Sequence, residues 1–85
     1  MAKYIVYVTK SVQKVLGKMP ESIAERLENV MLGLEDNPRP IGYKKLKGRE
    51  AYRIREGDYR IIYEIKDKTI IVVVTNIGHR KDVYK

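Results

Sequence analysis

The chain has no cysteine and one histidine among its 85 residues. Without cysteine it can form neither a disulfide framework nor a thiolate metal site, and only His79 could offer an imidazole ligand. It also lacks an apolar run of 18 or more residues, so the sequence contains no candidate membrane span. The first residues enter an alternating pattern without the apolar core of a signal peptide. We therefore expect a cytoplasmic protein that needs no metal and no small-molecule cofactor.

The chain is short for a globular protein, and its 44% hydrophobic content is typical of a folded chain and not of a disordered one. A length of 85 residues predicts a single domain, residues 1–85, with a modest core. No repeat, linker or low-complexity stretch divides it.

The positive charge is concentrated in two segments of the chain. The net charge is +7, yet residues 1–38 and residues 61–78 each sum to zero. Residues 39–60 hold eight basic and three acidic side chains, and residues 79–85 hold three basic and one acidic. Localised positive charge favours a polyanionic partner, whereas a generally basic protein would spread it.

The N-terminal half reads as a strand followed by two helices. Residues 4–9 are β-branched and aromatic, which is typical of a strand. Ser11 then precedes apolar residues at helical spacing, and Pro20 restarts the chain in a second helix that ends near residues 36–38. The apolar stripes of the two helices predict core residues: Val12, Val15, Leu16, Met19, Ile23, Leu27, Val30, Met31 and Leu34.

The C-terminal half reads as a loop over residues 38–50 and then three strands. Residues 52–55 and 59–65 flank a Gly57-Asp58 turn of type II′, and Asp67-Lys68 marks a second tight turn. Residues 69–76 are nearly all β-branched, which predicts a central strand buried on both faces. The order is β-α-α-β-β-β, an α+β fold with a small, mostly antiparallel sheet and the two N-terminal helices packed on one face. The sequence leaves the partner of the first strand open.

The Gly57-Asp58 turn fixes which residues face each other across the hairpin. Opposing positions sum to 115, so Arg55 lies opposite Arg60. Because side chains alternate between faces, Tyr52, Ile54, Ile61 and Tyr63 share the surface covered by helices. Arg53, Arg55 and Arg60 share the other surface. Like charges directly opposite are destabilising, by a few tenths to about 1 kcal/mol, so this arrangement favours a bound anion over a purely structural role. Arginine also binds phosphate oxygens through two parallel hydrogen bonds.

Several segments resemble the RelE branch of the RelE/ParE toxin superfamily. They are Lys45-Leu46-Lys47-Gly48, Tyr52-Arg53-Ile54-Arg55, the stretch from Gly57 to Tyr63, and Gly78-His79-Arg80 followed by Tyr84. The resemblance spans essentially the whole chain. It implies a toxin of a type II toxin–antitoxin system, a metal-independent endoribonuclease that cuts mRNA in the ribosomal A site by attack of the RNA 2′-hydroxyl on the phosphodiester. It also implies three partners: the ribosome, mRNA and a cognate RelB-like antitoxin.

The resemblance further implies the site residues. Arg55, Arg60, Arg80 and Tyr84 match catalytic positions, and Lys45, Lys47, Arg53 and His79 are expected to bind substrate. Members of the branch usually carry lysine at the two positions occupied by Arg53 and Arg55. Since arginine effectively never deprotonates in proteins, Arg55 is assigned electrostatic work and not the role of general base.

Two other functions fit a basic protein of this fold. A ParE-like toxin would inhibit DNA gyrase by binding it without catalysis, but such proteins generally lack the arginine set. A passive RNA-binding module would place aromatic side chains among the basic residues as stacking platforms. Tyr52 and Tyr63 instead fall on the predicted core face, which counts against that function.

Overall fold

The computed structural model describes residues 3–79. Its elements follow the predicted order with one additional short strand: β1 (Ile5–Val8), α1 (Lys10–Gly17), α2 (Glu21–Gly33), β2 (Lys44–Lys45), β3 (Tyr52–Glu56), β4 (Tyr59–Lys66) and β5 (Ile71–His79). No helix in this part of the chain is long and apolar enough to cross a membrane. The predicted α+β class is confirmed.

The five strands form one sheet in the order β1-β5-β4-β3-β2. Antiparallel pairing joins β5, β4, β3 and β2. The first strand, whose partner the sequence left open, lies parallel to β5. A parallel pair requires a crossover connection, and the helices in that connection pack on one face of the sheet.

The helices begin within one residue of where local sequence signals place them, but α2 ends at Gly33, three residues before the predicted end near residues 36–38. Thr9 caps α1, because its Oγ1 accepts a hydrogen bond from the Val12 N–H at 3.4 Å, so this helix starts one residue before Ser11. Helix α2 starts directly after Pro20. Both helices bury one stripe against the sheet, and the buried core comprises Val12, Leu16, Leu27, Met31, Leu34, Ile61, Tyr63, Val72 and Val74.

Strand β5 differs from the prediction in its bounds and in its burial. It begins at Ile71 instead of residue 69, because Ile70 has a φ of 50° and ends the turn in the left-handed region. On the helix face, Val72 and Val74 are buried. On the other face, Ile71, Val73 and Thr75 are only partly buried. The predicted burial on both faces is wrong, since the described helices cover only one face.

The segment predicted as a continuous loop, residues 38–50, contains strand β2. Its two residues pair with β3, Lys44 with Arg53 and Lys45 with Tyr52. The Leu46 N–H adds a hydrogen bond to the Ala51 C=O at 2.8 Å. Two residues are too few to show an alternating pattern, so this strand depends on tertiary contacts and leaves no signal in the sequence.

Two polar contacts hold the chain that leads into β2. The buried Tyr63 hydroxyl donates a hydrogen bond to the Pro38 C=O at 2.8 Å. The next residue, Arg39, binds both carboxylate oxygens of Asp67 at 2.8 and 3.3 Å, and Tyr4 donates to the same carboxylate at 2.6 Å. Arg39 and Tyr4 also lower the pKa of Asp67. The start of the 38–43 segment is therefore fixed to the core and to the β4–β5 turn.

We expect Tyr63→Phe to lower the free energy of unfolding by about 1–3 kcal/mol, because it leaves the Pro38 carbonyl without its buried donor. Burial raises the pKa of Tyr63 from 10.0 to about 12. The neutral phenol therefore stabilises the fold fully below pH 10, and this contribution is lost as the pH rises through about 12. Chemical denaturation at pH 8 and at pH 11.5 should show a smaller difference between the two proteins at the higher pH. An equal difference in the free energy of unfolding at both pH values would contradict the role given to the neutral Tyr63 hydroxyl.

Candidate nucleic-acid interface

The β3–β4 hairpin has the predicted register. Its five residue pairs run from Tyr52 with Tyr63 to Glu56 with Tyr59, and each pair sums to 115. Gly57 has a φ of 61° and Asp58 does not have a positive φ, the pattern of a type II′ turn. On the helix side, the Glu56 carboxylate accepts a hydrogen bond from Arg26 of α2 at 2.9 Å, which ties the hairpin to the helix.

The hairpin brings three arginines together on the face that the helices do not cover. We call this surface, formed by Arg53, Arg55 and Arg60, the arginine face. Arg55 lies directly opposite Arg60. Because Glu56 and Tyr59 flank a two-residue turn and form a hydrogen-bonded pair, the next pair is the closer, non-hydrogen-bonded type, with Cα atoms about 4.5 Å apart. Two guanidinium groups therefore project from neighbouring points of the sheet.

The arginine face concentrates positive charge. The pKa of Arg53 is lowered, first by its partial burial and then by the positive charges of Arg55 and Arg60. The ion pairs formed within residues 3–79 involve other side chains, and none joins an acid to the arginine face. Glu56, the acidic residue of β3, points to the helix side. Bringing these charges together costs folding free energy that a bound anion would recover.

The strand β5 places a glycine beside Arg60. Between Ile62 and Tyr63 the pairing with β5 shifts, so that Val74 and Asn76 have partners in β4 and Thr75 is the extra residue. Beyond the bulge, Arg60 pairs with Gly78. A glycine leaves no side chain next to Arg60, which makes room for a ligand on the arginine face.

Lys44 belongs to this surface, although the sequence did not point to it. It pairs with Arg53, so the two side chains lie on the same face, and it is exposed. The predicted ligand Lys45 pairs instead with Tyr52 on the helix face, and its Nζ donates to the Arg49 C=O at 2.8 Å. Lys47 is exposed in the turn that follows β2. Lys44, and not the predicted Lys45, therefore adds positive charge to the arginine face.

The remaining predicted residues have different positions. His79 pairs with Tyr59, and the two rings meet edge to face with their centroids 5.0 Å apart. Tyr59 packs against the core, so the register places His79 on the helix side and not among the arginines. Arg80 and Tyr84 lie outside the described residues, and their assignments stay predictions.

This geometry suits the binding of a phosphodiester from one side. Guanidinium groups present parallel N–H donors that match phosphate oxygens, and they remain charged at any physiological pH. Donors fixed on a sheet also need little rearrangement when negative charge develops on a phosphate. The arginine face can therefore hold a phosphate and stabilise a more negatively charged transition state.

Comparisons of the sequence with known proteins all point to one family of toxins. A family model described as ParE toxin of type II toxin-antitoxin system, parDE, matches residues 6–84. Toxin RelG of Mycobacterium tuberculosis is 32% identical over 85 residues, 96% of this chain and 97% of that protein. The mRNA interferase toxin RelE of Escherichia coli is 30% identical over 67 residues, 75% of this chain and 70% of that protein.

Solved structures agree with the sequence comparison. The archaeal RelE–RelB complex from Pyrococcus horikoshii contains a chain that matches with a TM-score of 0.83 at 31% identity. The match covers 92% of this chain and 96% of that one. The similarity thus covers nearly the whole chain.

Proposed function

The chain belongs to the RelE-type branch of the RelE/ParE superfamily of type II toxin–antitoxin toxins, and from that membership we propose that it is an endoribonuclease that cuts mRNA in the ribosomal A site. The observation that carries the proposal is the arginine face. Three arginines share one uncovered surface, without an acidic partner among the described residues, where they destabilise the fold unless they bind an anion.

The proposed reaction uses a nucleophile that belongs to the substrate. The RNA 2′-hydroxyl loses its proton and its oxygen bonds to the adjacent phosphorus, while the bond from phosphorus to the 5′ oxygen breaks. That oxygen takes up a proton, which leaves a 2′,3′-cyclic phosphate and a 5′-hydroxyl. The protein has to align the 2′-oxygen in line with the leaving group and surround the phosphorane with positive charge, and neither task requires a metal ion.

Arg60 and Arg55 are proposed to stabilise the phosphorane, since they form the paired charges at the open position beside Gly78. Arg53 and Lys44 lie one row further along the sheet, where they would bind the neighbouring phosphate. Arg80 and Tyr84 retain the catalytic roles that the family resemblance gives them. Cleavage then depends mainly on alignment and electrostatic stabilisation.

The proposed physiological partner is a RelB-like antitoxin. Both the M. tuberculosis RelBE2 complex and the P. horikoshii RelE–RelB complex contain chains with this fold. Their chains match with TM-scores of 0.81 and 0.83. Binding of an antitoxin would keep the nuclease inactive until it is released.

The alternative is inhibition of DNA gyrase by protein binding, and the description of the matching family model favours it. The arginine face argues for the nuclease, because a contact that only inhibits gyrase does not require paired arginines on an open sheet. The two functions differ in one product: severed mRNA.

Mapping of mRNA 5′ ends on programmed ribosomes tests the proposal. We expect the purified chain to create new 5′-hydroxyl ends within the A-site codon, and an equimolar cognate antitoxin to suppress them. Lys68→Ala, which removes an exposed charge from the β4–β5 turn at the far end of the sheet, is the matched control and should cut normally. Intact mRNA together with gyrase inhibition would overturn the nuclease proposal in favour of the alternative.

A further inference from the structure

One edge of β3 is left open beside the arginine face. In β3 the main-chain N–H and C=O groups of alternate residues point toward β2. The Ala51 C=O accepts a hydrogen bond from the Leu46 N–H, and two residues later Arg53 pairs with Lys44. Arg55 is the next residue in this series, and the same register would set it opposite Gly42. Its N–H and C=O therefore point out of the sheet at this edge.

The chain turns away before it can cover Arg55. Gly42 has a φ of 95°, and the Tyr43 N–H bonds back to the Pro40 C=O at 3.0 Å, so β2 begins only at Lys44. Among residues 3–79, no main-chain hydrogen bond from this segment reaches Arg55. A donor and an acceptor thus lie side by side on the open edge.

A groove of about 500 Å³ follows this open edge, and we call it the edge groove. Its basic lining residues, Lys44, Arg53 and Arg55, continue the charge of the arginine face. Its acidic lining residue, Glu56, is bound to Arg26 at 2.9 Å. At the rim stands Ile41, an apolar side chain that is 102% exposed. The edge groove therefore combines positive charge, an apolar surface and a free peptide edge.

We propose that the edge groove reads one base of the RNA substrate. The Arg55 N–H and C=O hydrogen-bond to a base edge, which presents an acceptor beside a donor. Ile41 packs against the plane of that base, and Lys44 and Arg53 bind the phosphate next to it. This inference rests on the proposed nuclease function and adds a base-specific contact next to the scissile phosphate.

The extent of the open edge favours a base over an added peptide strand. Strand addition needs free main-chain groups on alternate residues along a run of the edge. Here β2 covers Arg53, and the turn begins at Gly57, so Arg55 alone is open. A single residue can satisfy one base but cannot hold a strand in register.

An amide-to-ester exchange tests the contact without changing any side chain. A chain of 85 residues is accessible by chemical synthesis. Replacing the Arg55 N–H with an ester oxygen removes the proposed donor and also weakens the Ile54 carbonyl as an acceptor, a side effect that an ester at any other position shares. Substrates should carry each of the four bases in turn at every position of the codon. We expect the natural chain to prefer one base at one position, and the ester to reduce that preference about five- to tenfold, the effect of one hydrogen bond.

The same ester at Val6 is the matched control. Val6 lies on β1, the other edge strand of the sheet. The N–H groups of Ile5 and Thr9 donate to carbonyl oxygens of Ile70 and Val74, so odd-numbered N–H groups point toward β5 and that of Val6 points out of the sheet. This variant should retain the base preference. Ile41→Ala should also weaken the preference, because it removes the apolar surface on which the base packs.

The outcomes separate this inference from the function on which it rests. Cleavage with an unchanged base preference in the Arg55 ester would overturn the edge groove and leave the nuclease standing. No cleavage by the natural chain would overturn both. Protection of the Arg55 amide from hydrogen exchange by antitoxin, but not by a 2′-O-methylated RNA, would assign the groove to a peptide and also overturn the inference.

Discussion

Replacing Arg60 with alanine is expected to slow single-turnover RNA cleavage by about 10²–10³, the usual effect of removing one preorganised donor to a developing negative charge. Arg60 lies between Arg55 on one side and Gly78, which carries no side chain, on the other. Its contact strengthens as charge accumulates on the phosphorane. The loss should therefore appear in the rate at saturating ribosome concentration more than in the apparent affinity.

Two further variants, Arg60→Lys and Lys68→Ala, serve as controls for the Arg60→Ala measurement. Lysine keeps the charge but not the two parallel donors of the guanidinium, so this variant should fall between wild type and Arg60→Ala. Lys68→Ala changes the net charge by the same amount at a distance and should match wild type. If Arg60→Ala cuts at the wild-type rate, Arg60 does not act on the transition state.

Affinity for single-stranded RNA is expected to fall about 50-fold between 50 and 200 mM salt. The estimate takes the four basic side chains of the surface, Lys44, Arg53, Arg55 and Arg60, as four phosphate contacts, and each contributes about 0.7 to the slope of log K against log salt. A 2′-O-methylated oligonucleotide prevents cleavage during the titration, because it lacks the nucleophile. Fluorescence anisotropy at several salt concentrations measures the slope.

The double variant Arg53→Ala/Arg55→Ala should reduce the magnitude of the salt slope by about 1.4, since two contacts are lost. It should also unfold at a slightly higher denaturant concentration, because it relieves repulsion within the arginine face. An unchanged slope would show that RNA binds elsewhere on the chain. A lower unfolding midpoint would show that these arginines stabilise the free protein.

The hairpin could be predicted from the sequence because its information is local. Gly57 permits the positive φ of the turn, a two-residue turn fixes the register, and the alternation of side chains then assigns every residue from Tyr52 to Tyr63 to a face. The buried side of this assignment is confirmed by Ile61 and Tyr63, which are both fully buried. The grouping of the three arginines follows from the same register.

Lys44 and His79 could not be placed in this way. Lys44 acquires its face from a two-residue strand, and the chain before that strand is held by contacts of Tyr63, Arg39 and Asp67. The face of His79 depends on the bulge in β5, and the run of β-branched residues there gives no sign of an extra residue. The positions of Lys44 and His79 are determined by packing between distant segments, which the spacing of neighbouring residues does not indicate.

The bulge at Thr75 also makes the two ends of β5 independent of each other. Upstream, Val72 and Val74 keep the register that buries them under the helices. Downstream, the extra residue sets Gly78 beside Arg60, whereas an unbroken ladder continued from the Val74 pair would put Ile77 there. The Thr75 hydroxyl donates across the strand to the Ile62 C=O at 3.4 Å, which gives the extra residue a contact of its own. Deleting Thr75 would straighten the strand and still leave Gly78 next to Arg60. Loss of one residue from this strand would therefore leave both the buried core and the pairing of Gly78 with Arg60 in place.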